Sequence, residues 1–92
     1  MSETLGLLAE AMQLARDLGY AVREEPLGDL PGGHCAVGGV MQVLLNLEHP
    51  AAERLERLLR ALADDPRIAD EPKSRLLEAR LDALAAGRDS AP

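Results

Sequence analysis

The sequence predicts an α+β domain of order α-β-β-β-α-α, a small antiparallel sheet packed with helices. Three observations carry that reading. Gly38-Gly39 falls between two aliphatic runs, as a tight hairpin requires. Leucine-rich stretches with helical spacing lie on both sides of that hairpin. The 92 residues suffice for one two-layer core, so residues 1–92 read as a single domain.

The first helix is expected over residues 2–18, with Ser2 as its N-cap. Leu5, Leu7, Leu8, Ala11, Met12, Leu14, Ala15 and Leu18 fill one half of its wheel. An apolar arc of about 180° is wider than one neighbour needs, so the helix should touch more than one element. Gly19 stands where a left-handed C-cap belongs, with Tyr20 as the apolar residue that accompanies it. Residues 20–25 then alternate weakly and read as a short strand, at an edge. Pro26 to Gly33 reads as a loop.

The hairpin strands are expected over 33–37 and 40–47, pairing Val37 with Val40, Ala36 with Met41, Cys35 with Gln42 and His34 with Val43. One face then carries His34, Ala36, Met41, Val43, Leu45 and Leu47, and should receive the helices. The other carries Cys35, Val37, Val40, Gln42, Leu44 and Asn46 and needs a cover. A second helix over 51–63 starts near Pro50, capped by Asn46 or His49, and buries Ala51, Leu55, Leu58, Leu59 and Leu62. Glu53–Arg57 and Glu56–Arg60 are spaced to pair on its outer face. Asp64-Asp65-Pro66 ends it. A third helix over 72–86 opens at Asp70, Glu71 and Pro72 and closes at Gly87, with Leu77, Leu81 and Leu84 on one face and Lys73 and Arg80 intruding. Leu8, Met12, Val43, Leu45, Leu55, Leu58 and Leu62 are expected to be buried together.

Composition excludes several functions. A hydrophobic content of 47% with 28% charge belongs to a folded chain. The core must be aliphatic, because there is no Phe or Trp and Tyr20 is the one tyrosine. A net charge of −6 without a basic stripe or stacking aromatics argues against nucleic acid as a partner. No apolar run reaches the length of a spanning helix, which argues against a membrane role. The N-terminus lacks a secretory pattern, and one cysteine makes no internal disulfide, so a cytoplasmic location is expected. The Ala/Leu/Arg-rich usage points to a bacterial source with a GC-rich genome.

Chemistry-bearing residues are few. Cys35 stands beside His34, but neighbouring strand residues face opposite ways, so a thiolate–imidazole pair is not formed between them. Cys35 is expected to be buried and inert, as small free cysteines often are. Zinc needs three or four ligands, and Cys35, His34 and His49 lack metal-site spacing; no metal and no cofactor are expected. His49 reads as exposed or capping, and Asp64, Asp65, Asp70 and Glu71 as a solvated linker. The glycine pairs are turn residues and not a phosphate cradle.

Gly32-Gly33-x-Cys35-x-Val37-x-Gly39, followed by an aliphatic strand and a Leu-rich helix, resembles small bacterial proteins with a G-G-x-C-x-V-x-G hairpin. The resemblance covers about half the chain and implies no activity. The strand-then-helix order is also similar to the core of IrrE-like zinc peptidases, whose next helix bears H-E-x-x-H. Here that helix has Glu53, Arg54, Glu56 and Arg57 and no histidine, so no peptidase activity is implied.

The leading expectation is therefore a non-enzymatic association module, a homodimer or a subunit bound to another protein. Its interface is expected from Val37, Val40, Gln42 and Leu44 on the second sheet face and from Leu77, Arg80, Leu81 and Leu84 on the third helix. The alternative is a small thiol- or metal-dependent module using His34, Cys35 and His49.

Overall fold

The computed structural model describes residues 3–89, with side chains to residue 87; the expected Ser2 cap lies outside them. The elements are α1 (Glu3–Asp17), β1 (Ala21–Glu25), β2 (Gly33–Val37), β3 (Val40–Asn46), α2 (Ala51–Ala63), a 3-10 turn (Pro66–Asp70) and α3 (Arg75–Asp89). The α+β class and the α-β-β-β-α-α order hold. The sheet is mixed and not antiparallel throughout: its order is β1-β3-β2, with β1 parallel to β3 and β2 antiparallel to it. Strand alternation encodes which face a residue takes but not the direction of its neighbour. Residues 26–39, the loop, β2 and the turn together, form the long connection that a parallel pair requires.

Several local features follow directly from the sequence. Gly19 has φ +90°, and Tyr20 N–H donates to Ala15 O at 2.9 Å, the six-to-one bond of a Schellman cap. Gly38 and Gly39 both have positive φ, as a two-residue hairpin turn with the strand twist demands. The hairpin register matches the expected one, from Val37–Val40 to His34–Val43.

The helices cover one face of the sheet. Leu8, Val43, Leu45, Leu55, Leu58 and Leu62 are buried in one cluster, with Met12 half-buried against it. The wide arc of α1 meets α2, β1 and α3, so its breadth is used, while Leu5 at the edge of the arc is exposed. The helical layer stops short of β2, whose five residues are all exposed, His34 and Ala36 included.

Helix α3 differs from expectation at both ends. It begins at Arg75, because Lys73 Nζ donates to the carbonyls of Ile68 and Glu71 and closes the preceding 3-10 turn. Ser74 supplies the cap, its hydroxyl accepting from Leu77 N–H at 3.2 Å. Glu10 of α1 grips the same serine through both carboxylate oxygens, at 2.7 Å from its N–H and 2.6 Å from its hydroxyl. Gly87 does not close α3, which continues to Asp89.

Truncating Leu58, fully buried at the centre of the core, to alanine is expected to cost about 2–5 kcal/mol, measured by denaturant unfolding. A Cβ on Gly32 (φ +78°) would lie 2.3 Å from Leu44 O, whereas one on Gly28 (φ +61°) meets nothing. Gly32→Ala should therefore lose clearly more stability than Gly28→Ala, the excess reporting backbone contact and not φ alone.

Candidate functional site

The uncovered face of the sheet is the candidate site, and its shape is set by how the chain crosses it. β1 and β2 lie on opposite sides of β3, so residues 26–32 must pass over the C-terminal end of β3. Asn46 holds that crossing. Its Oδ1 accepts from Leu27 N–H at 3.0 Å and Glu48 N–H at 2.9 Å, while its Nδ2 donates to the carbonyls of Gly28 and Leu30 at 2.9 Å each. Both lone-pair sites and both amide protons are used. Asn46 is accordingly 0% exposed, in contrast to the expectation that it would share an open face or cap α2. At the other end of the loop Gly32 passes against the backbone of Leu44.

The rest of that face is open. Val37 and Val40 are 59% and 40% exposed, Cys35 is exposed, and Gln42 and Leu44 are half-buried. Arg23, Cys35, Gln42 and Leu44 line a shallow depression of about 400 Å³ there. The exposure of Cys35 corrects the expected buried cysteine: its side chain lies on the face opposite the helices, where none of the described residues covers it.

The third helix makes no second half of this site. Leu77 is 0% exposed and Leu81 is buried with it, Leu84 packs at the core margin, and only Arg80 of the four residues faces solvent freely. α3 lies on α2 and α1, using Leu77 and Leu81 to finish the core, while Leu76 is exposed.

The rival constellation does not assemble. His34 lies opposite Val43, Cys35 takes the other face, and His49 follows the end of β3. Among the described residues no three His, Cys, Asp or Glu side chains form a metal-sized group. His49 is half-buried, with Nδ1 2.9 Å from Glu53 Oε2 but without hydrogen-bond geometry; α2 begins at Pro50 with no side-chain cap.

Two polar clusters were missed by pattern reading, because each joins residues remote in sequence. Arg54 lies at the start of α2, where the interleaved charges suggest a solvated face. It is instead half-buried, with Nη1 2.7 Å from Glu24 Oε2 on β1 and Nε donating to His49 O. Asp65, expected in a solvated linker, caps the 3-10 turn, accepts from Tyr20 Oη at 2.9 Å and holds the Arg67 guanidinium at 2.7 Å. The Arg67 hydrogen bonds pull the Asp65 carboxyl down to about 2, against the opposing effect of its burial. Burial, reinforced by the Asp65 carboxylate, pushes the Tyr20 phenol up to about 12.

No known family, curated protein or solved structure matches the chain. Among the described residues no helix is long and apolar enough to cross a membrane.

Asn46→Ala should cost more than about 2 kcal/mol in denaturant unfolding, since it strands the Leu27 N–H and the Gly28 and Leu30 carbonyls of the crossing loop and the Glu48 N–H after β3. For Asp65, the folded carboxyl titrates below the unfolded one, so its contribution is present above about pH 4 and is lost as the pH falls toward 2. Tyr20 has the opposite sign: its contribution is complete below the unfolded phenol pKa of about 10 and fades as pH rises through 12. Ultraviolet titration reads this single tyrosine cleanly, and Asp65→Asn should bring its midpoint down.

Proposed function

We propose that the protein acts by association, presenting the open sheet face and the β2 edge to another polypeptide. The observation that supports this most is β2 itself: a strand exposed at all five positions. Soluble domains bury apolar sheet faces where they have the means. Here Leu77 and Leu81 of α3 are spent on the helical side. What remains is an apolar centre of Val37, Val40 and Leu44 beside Gln42 and Arg23, the arrangement of an interface with a polar rim.

A chain of net charge −6 without a basic stripe is poorly suited to nucleic acid, so a protein surface is the fitting partner. In a reducing cytoplasm the exposed Cys35 would stay a thiol and contribute as a small apolar contact. No observation favours the thiol- or metal-dependent alternative, whose three residues are dispersed.

Leu44→Glu tests the proposal, because it places a charge at the centre of the open face without touching the core. Light scattering should find the wild type associated; the variant falls to a single folded chain where the partner covers the face and stays associated where the β2 edge alone carries the contact, with circular dichroism unchanged in both. A wild type that is one chain at all micromolar concentrations, and that draws no partner from its source, would reject association.

A further inference from the structure

The two edges of the sheet are unlike. β1 presents Arg23, Glu24 and Glu25 and runs into Pro26, the charge and proline that keep edge strands apart. β2 presents Gly33, His34, Cys35, Ala36 and Val37 between Gly32 and Gly38, with no formal charge when His34 is neutral. An edge strand carries a rim of N–H and C=O groups that only another strand satisfies in register. The turn bond from Val40 N–H to Val37 O directs Val37, and hence Cys35 and Gly33, toward β3. His34 and Ala36 therefore direct their backbone groups outward.

We infer that the partner is a second copy of this chain, paired antiparallel through β2 about a two-fold axis at Cys35; this rests on the association proposed above. Side-chain sizes favour that register. Val37 faces the partner's Gly33, His34 faces the partner's Ala36, and Gly38 faces the partner's Gly32, so each larger residue meets a small one. Two hydrogen-bonded pairs form, His34 with the partner's Ala36 and its symmetry mate, each exchanging both N–H···O bonds. No like charges are brought opposite one another, which matters for two chains of net charge −6. The β2 strands join two three-stranded sheets into one of six, with the two open faces continuous. All five residues of β2 are exposed, so the strand is accessible to the approach.

The register makes a specific geometric demand at Cys35. As a non-hydrogen-bonded antiparallel pair, the two Cys35 residues lie with Cα atoms about 4.5 Å apart, inside the roughly 4.4–6.8 Å span that a disulfide bridges. Glutathione disulfide then serves as a probe. Two Cys35 thiols lose two protons and two electrons, forming one S–S bond, and the reagent is reduced to two glutathione thiols.

The experiment combines solution mass with trapping. Reduced wild type and Cys35→Ser should both sediment at twice the 9.8 kDa chain mass. Ala36→Pro removes only an outward N–H, and Cys35→Lys sets two ammonium groups face to face; both should be single folded chains by sedimentation and circular dichroism. Glutathione disulfide should convert wild type to a covalent dimer, and a Leu44→Cys, Cys35→Ser chain should not cross-link. A dimer that survives both Ala36→Pro and Cys35→Lys would overturn edge pairing while leaving association through the sheet face intact. A wild type that stays one chain and yields only the glutathione adduct would overturn self-pairing and leave association to a different protein.

Discussion

The fold depends on a single side chain that makes one strand connection possible. Placing β1 and β2 on opposite sides of β3 forces residues 26–32 across the end of the central strand. A loop lying on a sheet exposes backbone polar groups that the ladder cannot use. Asn46, whose amide has two donors and two acceptor sites, satisfies three of them together with the Glu48 N–H after β3. The crossing then brings Gly32 so close to Leu44 that no side chain fits between them. Loop, central strand and edge strand are thereby fixed relative to one another, and β2 starts in register.

On the opposite face the core is aliphatic but for Tyr20, and its joints are made by polar pairs at the periphery. Arg54 ties the start of α2 to β1 through Glu24, and Glu10 ties α1 to the start of α3 through Ser74. Tyr20 and Asp65 connect the cap of α1 to the turn after α2. Each pair joins elements far apart in sequence, so local helix formation alone leaves them unmade. Buried leucines supply the bulk of the driving force, and these peripheral contacts select one arrangement of helices over another.

The legible part of the chain was the part encoded by nearest neighbours. Gly19, Gly38-Gly39 and the leucine stripes of α1 and α2 determine caps, turn and covered face from spacing alone. Strand direction was not legible, because Ala21–Glu25 alternates in the same way whichever neighbour it joins. Nor was the role of Asn46, since its partners are backbone groups of a loop sixteen to nineteen residues away. For the candidate site, the parity of the hairpin correctly placed Val37, Val40, Gln42 and Leu44 on one face. It could not reveal that α3 would turn Leu77 and Leu81 inward, because helical periodicity defines a stripe without saying which surface it meets. Cys35 was misread for a related reason: a residue type's usual burial says little on a sheet face that no described helix covers.

That early end of the helical layer links architecture to use. A three-stranded sheet with helices on one side has two edges and one bare face to dispose of. β1 is closed by charge and proline, and the far end of the bare face is closed by the loop that Asn46 holds. The remaining surface is then continuous from the exposed edge of β2 to Leu44, apolar in its centre and free of formal charge along the strand. Of the described elements α3 is the one left to cover it, but Glu10 holds its first turn against α1 and Leu77 and Leu81 are consumed there. The same contacts that complete the core therefore keep the second face open.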